Sequence, residues 1–450
     1  AVVLQVEPME TFLKLLRQSL SRFPSNSERY VVAFSGGLDS TVLLAAMQRL
    51  EWGVTVRAAH IDHGLQTDSY KWEAHCRETA SALGVEYVSS KLLIESQSGD
   101  SLEALAREAR YRALQDLLAP GEILLTAHHA DDQLETLLLR LLRGSGVKGM
   151  RGISSFHRFG NGYLGRPLLH MTRRELQGMG VEWELEWLDD PMNLDERFDR
   201  NFIRKKVLPQ VTTRWPSGGK TAVRAARQMA DAQEILDGVA ESDSSGILHP
   251  DRISQAALLE LSASRQRNVL RHLIGRAGLP IPDSVQMDEL LKSLQVRRID
   301  AETQVQWPGG EGRIYRGVLH LFAPFGMGSR DNYIGELTKT QPWSGPEGRI
   351  SLVSTTGQGL PDIWVKKGLS VRFRVGGECF KPPSYNHSRS LKKWFQETGV
   401  LPWLRGRVPL LYRDEQLVAV GDLWVSNVAK DAQENKQKWQ ISWTNHPPMT

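Results

Sequence analysis

The chain's pattern predicts an α/β fold: a doubly wound parallel sheet at the N-terminus, then a mainly helical middle domain and a small α+β C-terminal domain. Three observations carry this expectation. Short apolar runs rich in Val, Ile and Leu alternate with longer helical stretches through about residue 210. A Ser-Gly-Gly turn joins the first run to its helix, and after residue 213 the alternation gives way to helices.

Residues 30–34 read as a buried strand and residues 41–50 as the helix after it. Strands over 54–59, 85–88 and 123–126 alternate with helices over 68–83 and 102–118, and a last helix runs through Leu142. Helical crossovers of this length demand parallel pairing, with both faces of the sheet covered. Such sheets bind ligands at the carboxyl ends of their strands, where Ser35, His60 and His128 all fall. Beyond residue 213, helices are predicted over 222–240, 254–277 and 284–294, then short strands over 304–322 with Gly309, Gly310 and Gly312 at turns. The expected divisions are 1–213, 214–325, a Gly-, Pro-, Ser- and Asp-rich linker over 326–340, and 341–450. Strands near 350–353, 369–374 and 417–425 and a helix over 391–398 are predicted in the last.

At 450 residues the chain exceeds one ordinary domain. No apolar run approaches the ~18 residues of a membrane span, so a soluble protein is expected. Two cysteines, Cys76 and Cys379, lie far apart without a CxxC partner, which suits a reducing, cytoplasmic setting. Net charge is only +4, yet residues 200–227 hold eight basic residues and no acidic one. Such a block is either a solvated helical face or a surface for a polyanion, and the neighbouring motifs favour the polyanion.

Ser35-Gly36-Gly37-Leu38-Asp39-Ser40 reads as a phosphate cradle. Adjacent glycines allow a tight turn that brings backbone N–H groups to an anion, and Ser40 opens a helix whose N-terminus favours negative charge. The spacing is neither G-x-x-x-x-G-K-[ST] nor G-x-G-x-x-G. Asp39 is electrostatically misplaced beside phosphate, since at an effective dielectric near 20 like charges ~4 Å apart repel by about 4 kcal/mol. A bridging Mg²⁺ removes that repulsion, which makes Asp39 the candidate metal ligand. A second motif, residues 128–136, sets Asp132 and Glu135 three apart, so both carboxylates project from one helix face. Complementarity to the helix dipole would place acids there as well. His60, His63, His128 and His129 form no recognised zinc spacing.

The loop resembles the SGGxDS loop of the N-type ATP pyrophosphatases, in which it holds departing pyrophosphate. The resemblance extends to His60 through Leu65, to His128 through Gly146, to Arg166-Pro167-Leu168-Leu169 and to Trp187-Leu188-Asp189-Asp190-Pro191-Met192-Asn193. Phe198-Asp199-Arg200-Asn201-Phe202-Ile203-Arg204, residues 371–378, Leu391-Lys392-Lys393-Trp394-Phe395 and Pro402-Trp403-Leu404-Arg405 continue it. Taken together, nearly the whole chain resembles the tRNA(Ile)-lysidine synthetase family, whose catalytic domain has the PP-loop, adenine nucleotide alpha hydrolase-like fold.

That resemblance implies a bacterial enzyme using ATP and Mg²⁺. It would adenylate the C2 oxygen of the unmodified wobble cytidine in the minor isoleucine tRNA, and free L-lysine would then displace AMP. ATP would be held by Ser35, Gly36, Gly37, Leu38, Asp39, Ser40 and His60. Lysine would be held by Asp132 and Glu135, with His128 near the transferring proton. Residues 103–112 resemble the family's Arg-containing helix, where Arg110, ahead of Arg107 and Arg112, is the candidate for the α-phosphate or target nucleotide. Arg200, Asn201, Arg204, Lys205, Lys392 and Arg405 would contact tRNA, the middle and last domains holding its body. Trp394, Phe395 and Trp403 are expected in the core of the last domain, and a homodimer is a further expectation. A tRNA thiolase of the same superfamily would instead need a persulfide-carrying Cys or iron–sulfur ligands. A catalytically silent RNA-binding protein would not need Asp39, Asp132 and Glu135.

Overall fold

The computed structural model describes residues 8–23, 27–62, 69–92, 102–189, 198–245, 249, 251–295, 303–325, 335–345, 348–357, 359–382, 387–426, 437–446 and 449. His63, Leu65, residues 190–193 and the linker stretch 326–334 lie outside them, as do the side chains of Glu103 and Arg107. The chain divides into two units, Ala1–Gly238 and Val239–Thr450.

In the first unit, β1 (Arg29–Ala33), β2 (Thr55–Asp62), β3 (Glu86–Lys91), β4 (Ile123–Leu125), β5 (Phe156–Phe159) and β6 (Gly162–Gly165) form one sheet, ordered β3-β2-β1-β4-β6-β5. All pairs are parallel except β5 with β6. The helices are α1 (Pro8–Leu20), α2 (Leu38–Arg49), α3 (Ser69–Ala82), α4 (Leu102–Asp116), α5 (Ala130–Leu142), α6 (Val147–Met150) and α7 (Arg173–Glu182). Period-2 alternation sorts the central strand between two cores. Tyr30, Val32 and Phe34 pack with Phe12 and Leu16 of α1, Val42 and Leu43 of α2 and Met179 of α7. Val31 packs on the other face with Leu114, Leu118, Leu124 and Leu164. The α/β/α layering expected of a doubly wound sheet is therefore present. From β1 the order runs to β2 and β3 on one side and to β4 on the other, so the loops after β1 and β4 part and leave a crevice between them.

The β5–β6 hairpin extends the sheet beyond what the sequence pattern shows, because FHRF and GYLG are too short to display a period. Gly162 is needed there, since a Cβ would stand 2.2 Å from the Glu122 carbonyl oxygen. Past α7, α8 (Asp199–Phe202) runs into a π-helical turn (Ile203–Val207) and α9 (Leu208–Arg214), followed by α10 (Gly218–Asp243).

In the second unit the helix expected over 254–277 is three elements: a strand Arg252–Ser254 and helices Gln255–Leu259 and Ala263–Arg276. A serine stands at the start of each helix. Ser254 caps the first helix by accepting the Ala257 N–H at 3.3 Å, and Ser262 is the N-cap residue of the second. Arg252–Ser254, Val318–Phe322, Gly310–Tyr315 and Thr303–Trp307 form a four-stranded antiparallel sheet in that order. Three further antiparallel sheets, of five, four and two strands, contribute to a core that includes Trp394, Phe395 and Trp403, as expected. Gly335–Leu337, in the range expected as linker, pairs with Leu369–Arg372 as an edge strand. Among the described residues no helix is long and apolar enough to cross a membrane.

Candidate active site

The loop after β1 is held from behind. Gly36 has φ +76°, and a Cβ there would lie 2.7 Å from Cys76 Sγ and 3.1 Å from Trp72 Nε1, so α3 presses directly on the loop backbone. Successive carbonyls of the loop each find a donor. Trp72 Nε1 donates to Ser35 O at 2.6 Å, Leu188 N–H to Gly36 O at 3.0 Å, and the Ser40 and Thr41 hydroxyls to Gly37 O at 3.0 and 2.9 Å. In a trans peptide the N–H points opposite to its C=O. The N–H groups of Gly36, Gly37 and Leu38 consequently face away from those donors, as an anion-binding nest requires, the Gly37 N–H making only a long 3.5 Å bond to Ser35 Oγ. Ser35 and Ser40 share a hydroxyl–hydroxyl bond at 3.0 Å.

The loop after β4 enters α5 through His129, which is buried. Asp132 Oδ2 accepts the His129 N–H at 3.0 Å, and Asp131 Oδ2 accepts the Arg173 N–H at 2.6 Å. Asp132 and Glu135 share one side of α5, and Glu135 is fully buried. Buried carboxylates need partners, and two arginines supply them. Arg200 Nε and Arg204 Nε, one helical turn apart, both bond Glu135, the latter at 2.9 Å, while Arg204 Nη2 reaches Asp132 Oδ1 at 2.8 Å.

The two loops meet at His129, whose Nε2 lies 3.6 Å from Asp39 Oδ2 and 3.4 Å from Asp132 Oδ2. Burial alone would lower the imidazole's pKa, but Asp132, Asp39 and Asp131 outweigh it and hold the pKa above the ordinary histidine value. Burial would likewise raise Asp132, yet the charges of His129, His128 and Arg204 bring it down to about 2. Asp39 Oδ1 is buried with no hydrogen-bond partner among the described residues. An orphaned carboxylate oxygen beside an anion nest fits a cation, and Mg²⁺ characteristically takes one or two carboxylates and completes its shell with phosphate oxygens and water.

The remaining candidates are less concentrated. His60 Nδ1 meets Phe34 O at 2.9 Å and its ring stacks on Tyr87, while His128 Nδ1 meets Thr126 Oγ1 at 2.9 Å. Arg110 lies 5.7 Å from the Tyr111 ring centroid, and Arg112 forms an exposed i,i+4 pair with Glu108. Asn201 of α8 and Lys205 of the π-helical turn are half-buried. In the second unit Lys392 is exposed, whereas Arg405 donates to Val400 O at 2.9 Å and to the Tyr315 hydroxyl at 3.0 Å. Among the described residues, no group of three or more His, Cys, Asp or Glu side chains is arranged to hold a metal ion. Burial pushes the Cys76 thiol up to about 12, the reverse of an activated sulfur, and Cys379 lies in the other unit.

The sequence offers His129 only as part of a histidine set without zinc spacing, and it gives no sign of the roles of His129 and Trp72 at the loops. The His-His doublet was the only signal for the first, and an indole that bonds a carbonyl 37 residues away leaves none.

Family models match three stretches of the chain: a PP-loop domain over residues 8–211, a TilS substrate binding domain over 254–320 and a TilS substrate C-terminal domain over 369–443. The tRNA(Ile)-lysidine synthase of Methylococcus capsulatus is 36% identical over 446 residues, covering 95% of this chain and 100% of that one. The enzyme of the same name from Alkalilimnicola ehrlichii is 39% identical over 88% of this chain and 89% of its own. That of Coxiella burnetii is 37% identical over 90% and 91%.

Proposed function

The chain belongs to the tRNA(Ile)-lysidine synthase family, and on that premise we propose that it joins free L-lysine to C2 of the wobble cytidine of the minor isoleucine tRNA. The cytosine O2 attacks the α-phosphorus of ATP and pyrophosphate leaves. The lysine ε-nitrogen then attacks C2, the C2–O bond breaks to release AMP, and a nearby base takes the amine's proton, leaving lysidine.

The observation that carries this reading is the meeting of the two loops at His129. It sets an anion nest and the Asp39 carboxylate on one side and the Asp132–Glu135 pair on the other, close enough for two half-reactions to share a centre. The N–H groups of Gly36 through Leu38 bind the pyrophosphate. Asp39 is the residue that would hold Mg²⁺, with His129 beside its other oxygen. When bound, the ion neutralises phosphate charge as pyrophosphate departs.

The amine needs help, since an ammonium of pKa near 10.4 is only about one part in a thousand neutral at pH 7.4, a deficit of about 4 kcal/mol. Carboxylates alone would attract the ammonium form and deepen that deficit. Arg200 and Arg204 change the balance, because their positive charges beside Asp132 and Glu135 favour the neutral, nucleophilic amine. His128 then accepts the proton.

Incubation with labelled lysine, ATP and unmodified isoleucine tRNA tests the reading: label should enter the tRNA with one AMP formed per lysine. Absence of label, with tRNA still bound, would sink it. Asp39→Asn should slow AMP formation by roughly 100-fold and abolish its Mg²⁺ dependence; an unchanged Mg²⁺ profile would remove Asp39 from the metal role.

A further inference from the structure

Trp215 ends α9 with 61% of its surface exposed. A single exposed apolar side chain needs no explanation, but the surroundings of this one are specific. The whole turn over 213–217 faces solvent, and the Arg214 guanidinium lies 5.9 Å from the indole centroid. The turn sits inside the acid-free block 200–227, with Arg224 and Arg227 exposed further along and Lys220 held by Glu175 at 2.6 Å.

The turn is also anchored beside the reacting centre. Gly218 N–H donates to Trp215 O at 2.8 Å. A Cβ on Gly218 would touch Leu134 at 3.4 Å, and one on Gly219 would stand 3.1 Å from Ala130, so this backbone passes against the first turns of α5. Ala130 directly follows His129. Four residues span at most about 14 Å, which keeps Trp215 at the rim of the site.

A flat apolar ring beside a guanidinium, in a stretch of chain that holds no acidic residue, has the chemistry of a nucleobase platform. Every base offers a π-face, and the phosphates on either side meet arginine rather than carboxylate. A protein partner would call for a contiguous apolar patch, whereas the exposed neighbours here are Thr213, Arg214, Pro216 and Ser217. We infer that Trp215, with Arg214 beside it, stacks against an unpaired base of the RNA substrate close to the base that reacts. This assignment rests on the RNA-modifying function proposed above. It explains how a target base drawn out of its stack is kept from refolding, because its neighbour gains an equivalent stacking surface on the protein.

The test compares Trp215→Ala, Trp215→Tyr and Arg214→Gln in the full chain, using an unmodified isoleucine tRNA transcript and measuring its Kd across a salt series. Trp215→Ala should weaken binding roughly tenfold or more, leave the KM values for ATP and lysine unchanged, and keep the wild-type slope of log affinity against log salt. Trp215→Tyr should restore most of the affinity. Arg214→Gln should reduce the salt slope by about one contact. Wild-type affinity in Trp215→Ala, a lowered salt slope in that variant, or no recovery with Tyr would each overturn the inference. Should Trp215→Ala fail to fold, Trp215→Tyr with near wild-type affinity beside a tenfold weaker Trp215→Leu supports it, and equal affinities overturn it. If wild-type protein binds the transcript but incorporates no lysine, the functional reading fails while the stacking comparison still stands.

Discussion

Glu135 carries the most consequential side chain in the site, because it is fully buried and answers to two arginines at once. Glu135→Gln leaves both guanidinium groups facing a neutral amide. A loss of about 1–3 kcal/mol in stability is expected, below the figure for a wholly buried pair because each arginine keeps about 30% of its side chain in water. The same variant should raise the KM for lysine at least tenfold and that for ATP less than about twofold; equal increases would remove Glu135 from the lysine site. His129 sets a pH dependence of opposite sign to that of Asp132. Its pKa is raised on folding, so its ion pairs stabilise fully below the ordinary value of 6.5 and fade as pH rises through the folded value. Asp132 falls from 3.8 to about 2, so its contribution is present above 3.8 and fades as pH drops through about 2. Melting curves of wild type and His129→Gln should therefore differ most between about pH 4 and 6 and draw together only as pH rises through the raised folded value of His129. A gap that widened with pH would contradict the assignment.

At the scale of elements, the loop after β1 and helix α3 behave as one part. Gly36→Ala combines a left-handed φ of +76° with a Cβ 2.7 Å from Cys76 Sγ, so α3 must shift. The expected result is near-complete loss of AMP formation, with a melting temperature several degrees lower; retention of more than about a tenth of the activity would show that the turn tolerates a side chain. These contacts also explain what can and cannot be read from sequence. The parallel sheet is legible because each strand is a short apolar run between longer amphipathic helices, and the cradle because Ser35 to Ser40 is contiguous. The union of Arg200 and Arg204 with Glu135 is not legible, because those partners stand 65 and 69 residues apart and meet only when α8 and the π-turn lie along α5. Sequence could name the arginines as basic and the acids as paired, but not join them.

For the whole molecule, two units with separate cores imply two cooperative transitions. On the function proposed, ATP with Mg²⁺ would bind the unit that contains Ser35 to Ser40, so saturating nucleotide should raise one melting step and leave the other in place. A single transition that moves as a block would show instead that the units unfold together. The division between the units also leaves little mark in the sequence. Helix α10 runs from Gly218 to Asp243 without a break, so no cluster of Gly or Pro marks the passage from one unit to the next.

Cys76 lies wholly buried under Gly36, its thiol pushed up to about 12, while Cys379 is exposed. This arrangement makes the protein its own stopwatch. A thiol reagent should modify Cys379 at once and Cys76 only when α3 lifts from the loop, so the slow phase of labelling counts openings of the phosphate nest. Nucleotide that seats in the nest should lengthen that phase, and its return on washing out pyrophosphate would time product escape directly.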